Sequence, residues 1–371
     1  MAYVAFKGGA RAIAGAAAAT ECLRTEQGLT DPAADPLTID ALLNQLRLLV
    51  DRVVSEGGVY HPGFAALAIK QSQGDTLEAA FALRAWRSTR PRLAETPALD
   101  TSRMRLIRRI SSAFKDIPGG QMLGPTRDYA LRLLRLELMD ESPEAFRSVA
   151  RQWLKGCPKA QIPDSFPKVL DHLRSEGLLP ALDAQARAKA FDITREPLIF
   201  PVPRSAALAT MSRGETGSLL LLAYSSIRGY GDVHPTLAEL RVGYLPVLLP
   251  HPVTGELSEV GEVLVTECEI VAMYQAGEGR DALPRFTVGY GACFGHNENK
   301  AINMAVLDRA LQKGMQDGAS FPAEDQEFVL LHVDGVDSMG FTSHWKLPHY
   351  VTFQSTLDRL RTTRQKMGAA S

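Results

Sequence analysis

Gly289-Tyr-Gly-Ala-Cys293-Phe-Gly-His296-Asn-Glu298-Asn-Lys300 is the stretch that decides how the C-terminal part of this chain folds. The residues before it predict a strand at about 285 to 289, and Asn297 is a suitable N-cap for a helix that should run to about residue 314. A second stretch follows, His332-Val-Asp-Gly-Val-Asp-Ser-Met-Gly-Phe-Thr-Ser-His344-Trp-Lys-Leu-Pro-His349-Tyr350. The two stretches hold four of the eight histidines and one of the four cysteines, so we expect the functional chemistry here.

His344 and His349 are candidate metal ligands. Their spacing of five residues would place them about 140° apart on a helix, and Pro348 disfavours a helix at Leu347. We therefore expect a turn or extended loop, on which two neutral imidazoles can share a zinc ion. Zinc takes four ligands, so either another polypeptide completes the shell or this chain does, through His332, Cys293 or His296. The alternative is two partly buried histidines held by backbone carbonyls.

The His344 to Gln354 segment resembles the signature of the PhnI family, the I subunit of the bacterial carbon–phosphorus lyase core complex. The resemblance continues in other blocks in the expected order: Tyr3-Val-Ala-Phe-Lys7-Gly-Gly, Gly74-Asp-Thr-Leu-Glu-Ala-Ala-Phe81, Phe114-Lys-Asp-Ile-Pro-Gly-Gly-Gln121, Arg228-Gly-Tyr-Gly-Asp-Val-His234-Pro, Thr266-Glu-Cys268 and Phe294-Gly-His-Asn-Glu298-Asn-Lys300-Ala. Ala10 departs from the acidic residue that family members commonly carry after the two early glycines.

The resemblance implies a function and partners. Together with partner subunits, such a protein displaces the purine of ATP or GTP by a phosphonate at ribose C1′, giving ribose 1-phosphonate 5-triphosphate, and alone it acts as a nucleosidase. The implied partners are PhnG, PhnH and PhnJ homologues, with two copies of each subunit in the core, and the ATPase-like PhnK and PhnL. His344 and His349 would bind Zn²⁺ where PhnJ contributes a cysteine. The rival interpretation is a non-catalytic scaffold that supplies zinc ligands to a site shared with PhnJ.

Composition points to an ordinary globular chain. Of 371 residues, 45% are hydrophobic and 22% are charged, with a net charge of −1, so no global field favours nucleic acid. No apolar run approaches the ~18 residues of a membrane span, and we interpret the alanine-rich Ala14–Thr20 as a helix, not an export signal. Four cysteines without C-x2-C spacing predict no disulfide framework and a cytoplasmic protein.

The predicted fold class is α+β, matching no common superfold. We expect a mainly helical domain over residues 1–196 and a domain over 197–371 with antiparallel strands, including a hairpin of residues 239 to 249 and 258 to 274. Asp100-Thr101 is predicted to cap a helix with Arg105, Arg108 and Arg109 on one side, and residues 327 to 333 are predicted to form a buried strand.

Clustered cations are the candidate phosphate ligands. Between Arg84 and Lys115 the sequence contains nine basic residues and only two acidic ones. Phosphate recognition requires such charges, and breaking a glycosidic bond requires a carboxylate beside the developing oxocarbenium ion. The phosphate-binding candidates are Arg105, Arg108, Arg109, Lys115, Gly119, Gly120, Arg228, His234 and Lys300, and the carboxylate candidates are Glu298, Asp116 and Asp232. The alternatives are a solvated helix face, an ordinary glycine turn, and for Glu298 a favourable charge at a helix start.

Overall fold

A computed structural model describes residues 9–156, 166–180, 190–230, 235–275 and 283–369. Residues 3 to 6 predict a short strand and Lys7-Gly8-Gly9 a tight turn, and all of these residues except Gly9 lie outside the described ranges. Within them, no helix combines the length and the apolar character that crossing a bilayer would require.

The N-terminal part is helical, as predicted. Thr38 caps one helix by accepting a hydrogen bond from the amide of Ala41, Asp75 caps another, and Gly58 ends a third at φ +62°. The apolar faces of the four helices between residues 39 and 88 form one core. The helices are α1 Gly9–Thr25, α2 Gln27–Thr30, α3 Ile39–Gln45, α4 Arg47–Gly57, α5 Pro62–Gln71 and α6 Thr76–Ser88.

The helix predicted after Asp100-Thr101 is wrong. A 3-10 turn of Thr101–Arg103 is followed by strand β1, Arg105–Ile110, which pairs antiparallel with a later strand. The partner strand supplies backbone hydrogen bonds that the local sequence does not reveal, and tertiary pairing overrides helix propensity.

The middle of the chain has little regular structure. The leucine-rich residues from about 126 to 139 predict a helix, but this prediction is wrong, since only a 3-10 turn of Leu136–Leu138 forms there. Residues 129 to 139 are all exposed, so their leucines gain no packing, and packing provides most of a short helix's stability. Helices α7, Pro143–Gly156, and α8, Val169–Ser175, follow.

The C-terminal part confirms the α+β class and the predicted hairpin. The elements are α9 Arg204–Arg213, α10 Thr216–Ser225, a π-helical turn Ser226–Tyr230, β2 Thr236–Pro250, β3 Leu257–Gln275, β4 Arg285–Phe294 and α11 Glu298–Asp317. The four described strands form an antiparallel sheet in the order β1-β2-β3-β4. Strand β1, Arg105–Ile110, therefore lies at the edge of this sheet although it comes from the N-terminal part of the chain.

Helix α11 lies unusually close to the sheet. A Cβ atom at Gly289 would lie 2.1 Å from the carbonyl oxygen of Ala305, and one at Gly291 would lie 2.1 Å from that of Ala301. The glycines of β4 therefore set the helix–sheet distance, and this distance fixes where the helix begins.

The opposite face of the sheet carries buried charge. Glu267 accepts hydrogen bonds from the Lys168 amine at 2.9 Å and from the Tyr290 hydroxyl at 2.9 Å, and Lys168 also donates to Glu269 at 3.0 Å. One ammonium thus serves two carboxylates. Burial raises the pKa of Glu269 to about 7, against the opposing effect of Lys168.

The strand predicted at 327 to 333 is wrong: Gln326–His332 is helix α12. Asp325 caps it by accepting from the Phe328 amide at 2.9 Å, and a short apolar run cannot by itself distinguish helix from strand. Helix α13, Gly335–Ser343, a 3-10 turn His344–Lys346 and helix α14, Tyr350–Gly368, complete the described chain.

Candidate functional site

A pocket of about 500 Å³ opens beside the N-terminus of α11. Helix N-termini present free backbone N–H groups and a partial positive charge, which favour anions. The side chains around this pocket add to that field. It is lined by Arg47, Leu48, Arg52, Pro125, Thr126, Arg127, Asp128, Arg132, Thr216, His296, Asn297, Glu298, Asn299 and Lys300.

The turn that enters α11 is fixed by contacts to two other elements. Gly295 has φ +76°, and a Cβ atom there would lie 2.6 Å from the Cβ of Asp51. The Asp51 carboxylate accepts from the His296 amide at 3.1 Å, and the Thr266 hydroxyl accepts from the Asn297 amide at 2.9 Å. Asn297 occupies the predicted N-cap position, but its side chain donates to carbonyls outside the helix and does not cap it.

Glu298 is the carboxylate that the pocket presents. Its Oε1 accepts from His296 Nε2 at 2.6 Å and lies 2.8 Å from Arg108 Nε, although the Arg108 N–H is not directed at it. The Glu298 side chain is 20% exposed, whereas Arg108 is fully buried. A cation and an imidazole therefore hold this carboxylate in one orientation while one side of it faces the pocket.

Arg108 also connects strand β1 to the loop that lines the pocket. Its guanidinium donates to the Leu123 carbonyl and forms an ion pair with Asp128. Gly124, at φ +58°, lies so close to β1 that a Cβ atom would meet the Ile107 carbonyl oxygen at 2.3 Å. The buried arginine thus positions residues of the site and does not face the ligand space.

Three arginines at the pocket lack ion-pair partners in the part of the chain that the structure describes: Arg47, Arg127 and Arg132. Arg52 differs because it bonds the carboxylates of Glu56, at 2.9 Å, and Glu215. The unpaired cations are exposed and available to an anion.

Lys300 lies beneath the pocket with no exposed surface. Its amine donates to the Ser55 hydroxyl at 2.7 Å, and burial lowers its pKa to about 8. The neighbouring Cys293 thiol has its pKa raised by burial to about 11, so it stays protonated. Lys300 was predicted as a phosphate ligand, yet its amine is directed at the protein interior.

The structure places the other predicted residues near β1 away from this pocket. Arg109 is buried in an ion pair with Glu239, and it donates to the carbonyls of Pro118, at 2.6 Å, and Gly120, at 3.1 Å. The loop with Gly119 and Gly120 thus turns carbonyls inward around an arginine, which fits the turn alternative better than a phosphate cradle. Arg105 pairs with Glu262 at 2.6 Å, and Lys115 and Asp116 are exposed in the loop after β1.

Arg228 does not line this pocket. The exposed guanidinium of Arg228 lies 5.9 Å from the ring centre of Tyr224. The candidates His234 and Asp232 fall outside the described residues.

His344 and His349 come together as the spacing argument required. Their ring centres are 5.3 Å apart, His344 in the 3-10 turn and His349 at the N-cap of α14. The Nδ1 atom of His344 bonds the Phe341 carbonyl, and that of His349 bonds the Leu347 carbonyl at 2.5 Å. Since a carbonyl only accepts, each Nδ1 carries the proton and each Nε2 lone pair is free, which is the tautomer of a metal-binding histidine.

The ligands that might complete a zinc shell from this chain are held elsewhere. Cys293 is buried against α11, His296 bonds Glu298, and His332 Nδ1 bonds the Phe328 carbonyl at 2.7 Å. Across residues 9–369, apart from the stretches not described, no group of three histidine, cysteine or acidic side chains is arranged to hold a metal ion.

Sequence reasoning selected Glu298 but missed most of the residues around it: Arg47, Arg52, Arg127, Arg132 and Thr216. They come from α4, the loop after Gly124 and the start of α10, so no local motif joins them. Only Arg127, which follows the glycine-rich loop, carried a signal. His296 was considered as a zinc ligand and instead lies beside the carboxylate.

The chain resembles proteins of phosphonate metabolism. Residues 2–367 match the family model described as bacterial phosphonate metabolism protein (PhnI). A putative C-P lyase subunit protein, HtxH of Stutzerimonas stutzeri, is 72% identical over 100% of this chain and 98% of its own length. Two further relatives are each named alpha-D-ribose 1-methylphosphonate 5-triphosphate synthase subunit PhnI. The one from Rhizobium meliloti is 43% identical over 99% of this chain and 96% of its own length, and the one from Escherichia coli is 45% identical over 98% of this chain and 99% of its own length.

Proposed function

The chain belongs to the PhnI family of bacterial phosphonate metabolism proteins, and on this premise we propose that it carries the nucleotide site of a carbon–phosphorus lyase system. The substrates are a phosphonate and ATP or GTP. A phosphonate oxygen forms a bond to ribose C1′ while the C1′–N9 bond breaks. The electron pair of the broken C1′–N9 bond leaves with the purine, which takes up one proton.

The observation that carries this proposal is the pocket beside α11. It combines one oriented carboxylate, Glu298, with unpaired cations at Arg47, Arg127 and Arg132. The arginines match a triphosphate, which they can bind through paired N–H donors. The carboxylate matches the positive charge that develops on the ribose as the glycosidic bond breaks. The scaffold alternative gives no reason for this combination.

The proposed roles follow from the contacts. Glu298 faces C1′ and stabilises the oxocarbenium character, while Arg108 and His296 act as positioning residues that hold it. His296 Nε2 donates to Glu298, and its buried Nδ1 has no partner within the described structure. Asp116, the other predicted catalytic carboxylate, has less support because it lies outside this pocket.

Base release from ATP tests the proposal, measured on the chain co-purified with PhnG, PhnH and PhnL homologues and on the chain alone. We expect the Arg127→Gln/Arg132→Gln variant to raise KM for ATP at least tenfold, because cations that bind triphosphate are lost. Arg103→Gln, which removes an exposed arginine outside the pocket, serves as the matched control. Wild-type protein without turnover in either form would contradict the catalytic role.

A second candidate role, zinc binding at a subunit contact, is favoured by His344 and His349. Their free Nε2 atoms fit two of the four positions of a zinc ion, and no third ligand converges in the described ranges. Zinc bound there would supply a Lewis acid between two polypeptides. We propose that a PhnJ homologue completes the shell.

Metal analysis separates this role from the nucleotide site. The wild-type chain co-purified with PhnJ should retain zinc, and His344→Ala/His349→Ala should lose it with base release unchanged. Equal zinc content in both proteins would rule these two ligands out.

A further inference from the structure

A second basic pocket, of about 550 Å³, lies at the C-terminal end of α6. Six of its ten lining residues are arginines and none is acidic, an unusual composition for a pocket. The lining arginines are Arg84, Arg87, Arg90, Arg92, Arg195 and Arg213.

Part of this pocket is rigidly built. Arg84 bonds both carboxylate oxygens of Asp334 at 2.8 Å, and its other amino group donates to the Glu56 carbonyl at 2.7 Å. Arg92 donates to Asp192 at 2.6 Å and to Glu95 at 2.9 Å. Guanidiniums held in this way lose little conformational entropy when an anion binds.

Arg195 lies 4.0 Å from Asp192, whereas the remaining arginines of the pocket leave positive charge unneutralised. Arg87 and Arg90 have no carboxylate partner among the described residues, and Arg90 lies 5.3 Å from the ring centre of Trp86. Arg213 shares Asp334 with Arg84, and its buried Nε has no acceptor in the structure as described. Burial and the neighbouring Arg84 cation lower the pKa of Arg213, so an added negative charge would favour its charged form.

We propose that this pocket is a second binding site, and that its ligand is the phosphate chain of an oligophosphate. Convergent guanidinium groups match phosphate oxygens, and several unneutralised cations call for more than the single charge of a carboxylate. None of the described lining residues is aromatic, so a nucleobase finds no ring to stack on in this pocket. Recognition therefore rests on the phosphates, whether they belong to a nucleotide or to an inorganic chain.

The site is separate from the pocket beside α11. The two linings share no residue, and residues of both bond to different groups of Glu56. The Glu56 carboxylate accepts from Arg52 and from Thr216 of the first pocket, whereas its backbone carbonyl accepts from Arg84 of the second. The inference therefore goes beyond the proposed function and does not depend on it.

Isothermal titration of the full-length chain with sodium tripolyphosphate, at about 150 mM NaCl to suppress diffuse attraction, tests the proposal. Arg87→Gln/Arg90→Gln removes two cations that make no ion pair, so the fold should survive, which circular dichroism verifies. Arg127→Gln/Arg132→Gln empties the first pocket of two cations. Arg103→Gln/Arg364→Gln removes two exposed arginines outside both pockets and is the control.

We expect the Arg87→Gln/Arg90→Gln variant to lose one binding site, or at least tenfold in its affinity, while the control keeps wild-type binding. In the Arg127→Gln/Arg132→Gln protein, ATP and tripolyphosphate should bind the remaining site within about threefold of each other. Unchanged binding by Arg87→Gln/Arg90→Gln, or an equal loss in the control, would overturn the site. ATP binding more than tenfold tighter than tripolyphosphate there would overturn recognition through phosphates alone. Failure of the first pocket would show as a wild-type protein with one site that Arg87→Gln/Arg90→Gln abolishes.

Discussion

The turn that carries Glu298 and the segment that carries His344 and His349 are built in opposite ways. The first is held by a buried arginine, by Asp51 of α4 and by the sheet, and its helix packs on glycines of β4. In the second, the Nδ1 atoms of both histidines bond backbone carbonyls two or three residues earlier in the chain, and none of the described residues of α14 is buried. A carboxylate fixed within one chain fits chemistry performed by that chain, whereas a half-complete ligand pair on an exposed segment fits a contact with another.

The largest expected effect is kinetic. Glu298→Gln keeps the size of the side chain but removes the charge to which the proposed function assigns stabilisation of the ribose cation. We expect kcat for base release to fall by about 100- to 1000-fold. His344→Ala/His349→Ala should stay within about threefold of wild type in the same assay. If the histidine variant fell as far as Glu298→Gln, the two regions would form one site and the comparison would fail.

Adding one methyl group should change the free energy of unfolding in opposite directions in the two regions. Gly291→Ala forces α11 away from β4, and we expect a loss of about 3 kcal/mol in the free energy of unfolding by urea. Gly340→Ala places the same methyl group in α13, where nothing lies within 4 Å, so helix propensity should add up to about 1 kcal/mol. Changes of equal sign in the two variants would contradict this account.

The sheet behind the pocket should respond to pH. The pKa of Glu269, raised to about 7 by burial, lies above its ordinary value of 4.5, so its protonated form is favoured on folding. That stability is complete below about pH 4.5 and is lost as pH rises through about 7, by about 1 to 3 kcal/mol. Glu269→Gln, which stays neutral, should flatten this decline in urea unfolding measured from pH 5 to 8. Glu262→Gln, at a more exposed carboxylate, should leave the decline unchanged.

The smallest expected effect is on α14. Leu360 is 56% exposed, and Leu360→Ala should change the free energy of unfolding by less than about 0.5 kcal/mol. Leu307→Ala, at a buried leucine of α11, should cost about 2 to 5 kcal/mol in the same denaturation. A large loss from Leu360→Ala would show that α14 contributes to the core.

Local signals predicted the parts of the fold that local chemistry controls. Thr38 and Asp75 are residue types typical of an N-cap, and both cap the helices that follow them, while the β2–β3 hairpin follows its alternating apolar residues. Prediction failed at β1 and α12, because a six-residue run takes its conformation from the partner it meets and a seven-residue one from its cap.

Short blocks of sequence identified the family, and local patterns predicted the α+β class, a turn that carries His344 and His349, and Glu298 as one candidate carboxylate, because each of these rests on residues close together in the chain. Tertiary structure alone decided which cations share a pocket with that carboxylate. Arg108 was expected on an exposed helix face and became a buried support, while Arg47 and Arg132 reach the site from distant elements. Burial, pairing and close approach depend on contacts between remote residues, and no local pattern of residue types encodes those contacts.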